Sequence, residues 1–190
     1  MKRIIGITGA AGAGKDTLAD YLVEQHGFVK VSFAAALKDG LCAIFGWDKS
    51  LLNDREWKER VLPDIGKSPR QLMQTIGTEW GRECVHKDLW LILARTRIAS
   101  SAQSVVLSDV RFDNEAQLIR ELGGSVWHLK RSGISSVAAH SSETPVGETE
   151  EDIVVNNNGS VAELFALVDT QMALKQVGLR DSVRATTFGA

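Results

Sequence analysis

Ile4-Ile5-Gly6-Ile7-Thr8-Gly9-Ala10-Ala11-Gly12-Ala13-Gly14-Lys15-Asp16-Thr17 is the stretch that decides the fold class. Its first five residues form an apolar run of strand character. Behind it, Leu18-Ala19-Asp20-Tyr21-Leu22-Val23 reads as an amphipathic helix. Strand, glycine-rich turn and helix in that order are the setting of a phosphate-binding P-loop. Gly9, Gly12, Ala13 and Gly14 let successive backbone N–H groups turn toward one anion, and the helix N-terminus adds its positive dipole end. Lys15 can reach the β- and γ-phosphates of a nucleotide, and Thr17 offers a hydroxyl in the first helical turn. A small-residue turn that binds nothing would explain the glycines, but neither the lysine nor the two flanks.

One residue departs from the usual pattern. Ser or Thr, a magnesium ligand, normally follows the lysine directly; here Asp16 takes that place within the phosphate loop and Thr17 comes next. Magnesium would then be held largely through water and substrate phosphates, which suits an ion that dehydrates reluctantly. Asp16 itself reads foremost as an acidic residue favoured in the first turn of a helix.

A chain of 190 residues, 44% of them hydrophobic, is a normal size for one domain with a sizeable core. The formal net charge of −2 gives no global drive toward nucleic acid, so no stable nucleic-acid partner is expected. Cys42 and Cys84 lack a CxxC or histidine partner spacing and read as reduced core residues of a cytosolic protein. The segment before the glycines is too short for a signal peptide, and no apolar run reaches the roughly 18 residues of a membrane span. A cytoplasmic location is expected; the oligomeric state stays open, a homodimer included.

The helix after the P-loop should end near Gly27, and Phe28–Phe33 reads as a short strand. Ala34–Phe45 has Leu37, Leu41, Ile44 and Phe45 at helical spacing, Lys38 and Asp39 on its polar side, and Gly46 as its stop. Trp47–Pro69, rich in charge, reads as an irregular or partly helical insertion. Ser68-Pro69 then opens a helix with an N-cap serine and a proline at the first position. Projecting residues 70–84 at about 100° each puts Leu72, Met73, Ile76, Trp80 and Cys84 on one side. Gln71, Gln74, Thr75, Thr78 and Arg82 form a narrow opposite stripe flanked by Arg70. Amides, hydroxyls and arginines suit a polar ligand with an anionic end, since Arg clamps phosphate bidentately and Gln can read a base edge. A stripe that merely packs beneath a loop is the plainer alternative. Gly77 and Gly81 should weaken this helix.

Asp88–Ala99 reads as a helix with Leu89, Ile92, Leu93 and Thr96 inward and Trp90 and Arg95 partly exposed. Ser104-Val105-Val106-Leu107-Ser108-Asp109 is a strand ending in aspartate, which a P-loop enzyme places beside its phosphates to orient magnesium or the attacking group. Arg111 follows, then a helix over Asp113–Leu122 stopped by Gly123-Gly124. Ser125–Lys130 is a further strand; residues 132–151 have the composition of a mobile lid, with Arg131 at its root and His140 as a possible ligand contact within it. Asp152–Val155 is the last strand, and Asn156–Ser160 turns into a final helix over Val161–Gln176 with Leu164, Phe165, Val168 and Met172 inward.

Strands alternating with helices predict an α/β fold: a mainly parallel sheet flanked by helices, of the P-loop NTPase type. One kinase domain would span residues 1–178, with an acceptor-binding helical region at about 46–100, a lid at about 131–151 and a tail at 179–190. The parts together predict a small-molecule kinase. Lys15, Arg131 and Mg²⁺ would supply positive charge, Asp109 would orient the acceptor or the metal shell, and Arg70 and Arg82 would hold the acceptor's phosphate.

The chain also resembles the phage-type deoxynucleoside monophosphate kinases. The resemblance rests on four blocks: Gly14–Thr17; Gly66-Lys67-Ser68-Pro69-Arg70-Gln71-Leu72-Met73-Gln74-Thr75-Ile76-Gly77-Thr78-Glu79-Trp80-Gly81-Arg82; Ser108-Asp109-Val110-Arg111-Phe112-Asp113-Asn114-Glu115; and Asp152–Ser160. The second block is the most family-specific. The resemblance implies ATP-dependent phosphorylation of deoxynucleoside monophosphates, an acceptor set of Lys38, Arg70, Gln74, Thr78, Arg82 and Arg111, and a loop at Asn157 and Gly159 near the donor's adenine. It makes Asp16 the family norm and, for a phage-borne gene, places the protein in the host cytoplasm. Two rivals stay open: a P-loop kinase of another metabolite such as dephospho-coenzyme A, and a nucleotide-binding regulator without turnover.

Overall fold

The structure, a computed structural model, describes residues 2–134 and 146–174. His140, the middle of the predicted lid and the tail at 179–190 lie outside the described residues. The chain forms two compact units: one of the residues up to Val31 together with those from Ser101 onward, the other Ser32–Ser100.

The first unit is built on a five-stranded sheet. Its strands are β1 (Ile4–Thr8), β2 (Val29–Val31), β3 (Val105–Leu107), β4 (Ser125–Lys130) and β5 (Ile153–Asn156), in the spatial order β2-β3-β1-β4-β5. Every pairing is parallel, as the alternation of strands and helices predicts. Buried on both faces, β1 and β3 read as continuous apolar runs rather than alternating ones.

The two faces carry different helices. Ile5, Ile7, Val106, Trp127, Leu129 and Val155 pack against Leu18, Ala19 and Leu22 of α1 (Lys15–His26) and against Leu164, Val168 and Met172 of the C-terminal helix Val161–Leu174. On the opposite face, a Cβ on Gly6 would collide with Ile119 of the helix Asp113–Glu121. The glycine lets that helix lie directly on the central strand. The connection leaving β1 runs to β2 on one side, and that leaving β3 runs to β4 on the other, so their carboxyl ends form the crevice where open α/β sheets bind ligands.

The second unit is helical. Its core holds Leu37, Leu41 and Trp90, surrounded by Ala36, Phe45, Leu72, Met73, Ile76 and Leu89. α2 (Ala35–Phe45) ends at Gly46 in the left-handed conformation, as expected. The predicted insertion contains a 3-10 segment at Lys49–Asn53 and the short helix α3 (Arg55–Glu59), each begun by an aspartate, Asp48 or Asp54, that accepts a backbone N–H. Ser68 caps α4 (Pro69–Gln74) reciprocally: its Oγ accepts from Gln71 N at 3.3 Å, and Gln71 Oε1 accepts from Ser68 N at 2.8 Å.

The helix does not continue with α geometry. Thr75–Val85 is a π-helix, with His86 N donating to Gly81 O, five residues back, at 3.0 Å. More than four residues per turn rotates the later side chains off the expected line. Trp80 is 52% exposed, and Cys84 is exposed instead of lying in the core; Cys42 is only half-buried. The cause sits on the next helix, α5 (Leu89–Ser100). Trp90 Nε1 donates to Gly77 O at 2.7 Å, and a Cβ on Gly81 would lie 2.5 Å from Trp90 Cζ2. Of the two glycines that sequence reasoning counted against the helix, Gly81 makes room for this indole and Gly77 supplies its acceptor carbonyl. Trp90, expected to be partly exposed, is therefore buried, and the inner line of α5 is Trp90, Ala94 and Ile98. Ile92 and Leu93, expected inward, are exposed.

Gly81→Ala should cost about 1–3 kcal/mol through overpacking against the indole. The expected reading is a lower urea midpoint with an unchanged slope. An unmoved midpoint would show that Trp90 has room to yield.

Candidate active site

The phosphate loop leaves β1 pressed against its neighbour. Gly9 has φ +146°, and a Cβ there would strike the carbonyl oxygen of Leu129 on β4. Ala13 N donates to Ala10 O at 3.1 Å and closes the turn. Lys15 Nζ donates to the Gly9 and Ala10 carbonyls, each at 2.8 Å, so the ammonium lies against the loop's own backbone. Gly12 has φ +82°, and Thr17 is exposed on the first turn of α1.

Asp16 is tied to two other strands. Its Oδ1 accepts from Ser108 Oγ, just beyond β3, at 2.9 Å and from Lys30 Nζ on β2 at 2.9 Å; Lys30 also donates to Asp20 at 2.9 Å. Partial burial opposes the Asp16 charge, but the hydrogen bonds from Lys30 and Ser108 and the nearby ammonium groups outweigh it and hold the carboxyl below its ordinary value. Burial likewise works against the Lys30 charge, and the two aspartates overcome it, raising the ammonium's pKa. Both carboxylates are largely exposed, so these pairs orient Asp16 more than they stabilise the fold. Sequence reasoning missed Lys30 and Ser108. The signal available was a lysine in the middle of a very short, otherwise valine strand.

Asp109 is half-buried beyond the end of β3, and the turn that carries it is pinned on both sides. Val110 N donates to Ile7 O at 3.3 Å. Glu115, 2% exposed, accepts from Arg111 N at 2.8 Å and Phe112 N at 3.3 Å. A glutamate in the first turn of the helix at Asp113–Glu121 thus fixes the loop whose aspartate and arginine were the candidates; Arg111 is exposed.

The turn after β5 meets the phosphate loop. Asn157 Nδ2 donates to Ala13 O at 2.8 Å. Asn158 Oδ1 accepts from Ser132 N at 2.7 Å, next to the exposed Arg131. Gly159 faces Glu163, which with Ser160 forms a reciprocal cap: Ser160 N donates to Glu163 Oε2 at 2.6 Å, and Glu163 N to Ser160 Oγ at 3.3 Å. The absent side chain at Gly159 makes room for that cap.

A buried charge cluster anchors the return arm of the predicted lid. Asp152, with its side chain 1% exposed, accepts from Arg120 Nε at 3.1 Å, Arg120 Nη2 at 2.6 Å and Thr149 N at 2.9 Å, and lies 3.0 Å from His128 Nε2. Arg120 also donates to Gly147 O, and Gly147 N to Asp113 Oδ1.

The other candidates belong to the helical unit. Lys38 is half-buried on α2. Arg70 Nε donates to Glu59 of α3. Gln74, Thr78 and Arg82 follow at four-residue steps, each half-buried. Among the described residues, no three His, Cys, Asp or Glu side chains gather as a metal-binding group, and no helix is long and apolar enough to cross a membrane.

Burial favours the neutral form of Asp152, but Arg120, the Thr149 N–H and His128 more than compensate, so its folded pKa lies below the ordinary 3.8. The stabilisation is therefore complete above the unfolded-state value and is lost as pH falls through the folded one. Asp152→Asn should cost on the order of 3 kcal/mol at pH 7. The gap to the wild type, followed by urea unfolding, should narrow toward pH 3; a gap independent of pH would detach the effect from the carboxylate's charge.

The family model for deoxynucleotide monophosphate kinase matches residues 56–168. A protein of Acanthamoeba polyphaga mimivirus, provisionally named a deoxynucleotide monophosphate kinase, is 34% identical over 182 residues, covering 87% of this chain and 93% of the relative. The deoxynucleoside-5'-monophosphate kinase of Escherichia phage T5 is 46% identical over 67 residues, 35% of this chain and 27% of that protein. The deoxynucleotide monophosphate kinase of Enterobacteria phage T4 is 23% identical over 87% of this chain and 97% of its own. Among solved structures, a Thermus thermophilus protein superposes with a TM-score of 0.51 at 20% identity, covering 90% of this chain and 97% of that one, a likeness of fold alone. With a family model spanning more than half its length and a relative matched almost end to end, this chain belongs to the deoxynucleotide monophosphate kinase family of phosphotransferases.

Proposed function

We propose that this protein transfers the γ-phosphoryl group of ATP to the phosphate of a deoxynucleoside monophosphate. The observation that carries the reading is the loop Gly9–Thr17: closed on itself, backed by Lys15, and joined through Asp16 and Ser108 to the strand end that bears Asp109. The reading takes residues 1–178 as one kinase domain, with acceptor contacts at about 46–100 and the lid at about 131–151. It places the protein in the cytoplasm, the host's where the gene is phage-borne, with ATP and a deoxynucleoside monophosphate as its partners.

Phosphoryl transfer asks the protein for alignment and charge compensation rather than covalent chemistry. The N–H groups of Gly12 and Gly14 and the Lys15 ammonium bind the donor's phosphates, while the Ala13 N–H, expected among them, closes the turn onto Ala10 O; Asn157 and Gly159 belong to the turn at the donor's base. Arg131 adds charge from the lid root. Asp109 orients the acceptor's attacking oxygen. In the helical unit, Arg70 and Arg82 grip the acceptor's own phosphate, Gln74 and Thr78 meet its base or sugar, and Lys38 adds a cation; Arg111 is the acceptor candidate of the first unit.

Magnesium needs only one or two carboxylates when waters and substrate phosphates fill its remaining positions. Asp16, Thr17 and Asp109 provide such a sparse oxygen donor set, so the residues fit the ion. When bound, it would neutralise charge developing between the β- and γ-phosphates.

ADP release with MgATP, assayed against the four deoxynucleoside monophosphates, their ribose counterparts and dephospho-coenzyme A, tests the function. Selective use of deoxynucleoside monophosphates is expected. Turnover of dephospho-coenzyme A alone, or ATP binding without turnover, would replace the reading by one of its rivals. Lys15→Ala should lower kcat by about 10²–10³-fold while the melting temperature holds. Arg70→Ala should raise the acceptor's KM with little change in kcat; an unaltered KM would remove Arg70 from the acceptor set.

A further inference from the structure

We infer that Asn157 is a positioning residue for the phosphate loop, its side-chain amide fixing the direction in which the loop presents its Gly14 N–H. Asn157 is 6% exposed although it lies in the turn just past an edge strand. Its backbone is held as part of the sheet, with Asn157 N donating to Lys130 O at 2.7 Å. Its side chain reaches 144 residues back along the chain, Nδ2 donating to Ala13 O at 2.8 Å. The fit is close: a Cβ on Gly14, itself at φ +99°, would lie 2.6 Å from that same nitrogen.

A trans peptide makes this contact directional. The Ala13 C=O and the Gly14 N–H belong to one plane and point opposite ways. Holding the carbonyl against Asn157 therefore aims the N–H away from Asn157, toward the concave side of the loop, where an oxyanion accepts it. An amide can do this because it donates while remaining neutral. A carboxylate would face the Ala13 carbonyl with no proton to give, and an aliphatic side chain would leave a buried carbonyl unpaired. Gly14 thereby has two reasons to lack a side chain: its left-handed backbone and the amide seated against it.

Sequence reasoning put Asn157 beside the donor's base. Its contact with the Ala13 carbonyl adds a role at the phosphates, and one turn joins the two. The next residue, Asn158, accepts from Ser132 N, so the same turn also holds the backbone at the lid root. Ligand seated at this turn and phosphate seated in the loop would share a single rigid support.

The inference rests on the proposed reading of the loop as the donor-phosphate site, and the test separates the two. Binding of MgATP and of inorganic tripolyphosphate, which has no base, is measured calorimetrically for the wild type, Lys15→Ala, Asn157→Leu and the isosteric Asn157→Asp, with thermal midpoints as the folding check. Wild-type protein should bind both, and Lys15→Ala should weaken both. Each Asn157 variant should weaken tripolyphosphate and ATP by a similar factor, about tenfold or more. Loss of ATP affinity with tripolyphosphate binding within twofold of the wild type would make Asn157 a base contact and overturn the inference. Unchanged binding of both ligands would overturn it as well. A wild type that takes ATP but not tripolyphosphate also refutes it, since a preformed loop needs no base; a wild type that binds neither refutes the phosphate-site reading and the inference together. Should Asn157→Leu fail to fold, Asn157→Asp, which keeps shape and volume, decides alone.

Discussion

The phosphate loop of this protein owes its shape to what flanks it. Left to themselves, Gly9, Gly12 and Gly14 could adopt many backbone conformations, and glycine loses more entropy on ordering than any other residue. Gly9 is pressed against the Leu129 carbonyl of the adjacent strand, Ala13 is held by Asn157, and the first turn of α1 is tied through Asp16 to β2 and to the end of β3. An anion-binding site made of N–H groups works only when their directions are set before the ligand arrives. Here the sheet holds the loop, so the central position of β1 between β3 and β4 is the constraint from which the loop's geometry follows.

Two charge clusters serve different ends, and exposure decides which. The group at Asp16, Asp20 and Lys30 is open to water, where ion pairs contribute roughly 0–1 kcal/mol; its effect is steering, since Lys30 and Ser108 hold the Asp16 carboxylate in place on the first turn of α1. The group at Asp152, Arg120 and His128 is buried, and its carboxylate is met by side-chain and backbone donors together. Such a cluster is costly to break, because a remaining charge would stand unpaired. Its position suits that character, for it ties the segment at Gly147–Thr149 to the helix at Asp113–Glu121 and to β4.

The sheet unit was largely legible in the sequence because its signals are local. The apolar run before Gly9 and the glycine stops at Gly27 and Gly123 each depend on a few adjacent residues, and each appears where expected; so, in the helical unit, does the Ser68-Pro69 helix start. The contacts that hold the site are not local. Ser108 meets Asp16 across 92 residues, and Asn157 meets Ala13 across 144. No periodicity or spacing encodes such pairs. Glu115 lies between these cases: its place in the first turn of a helix was readable, but that it would gather the N–H groups of the Asp109 turn was not.

Helical phase was the other loss, and its cause is a single side chain. An α-helical projection assumes a constant turn, and Thr75–Val85 breaks that assumption by widening to π geometry over Trp90. Gly81 faces the indole directly, and Gly77, whose own missing side chain faces Leu37, supplies the carbonyl that accepts the indole N–H. A side chain at Gly81 would fill the slot and push Trp90 toward the outward position that sequence reasoning gave it. Thr78 and Arg82 keep the same four-residue step, one position beyond the glycines, so they still share a face, while Trp80 and Cys84 turn outward. The glycine at position 81, a poor helix former, is thus the condition for seating the largest aromatic side chain of this unit's core. The departure from α geometry falls on the very segment that carries the amide and arginine stripe, as π-helical turns often do at functional sites.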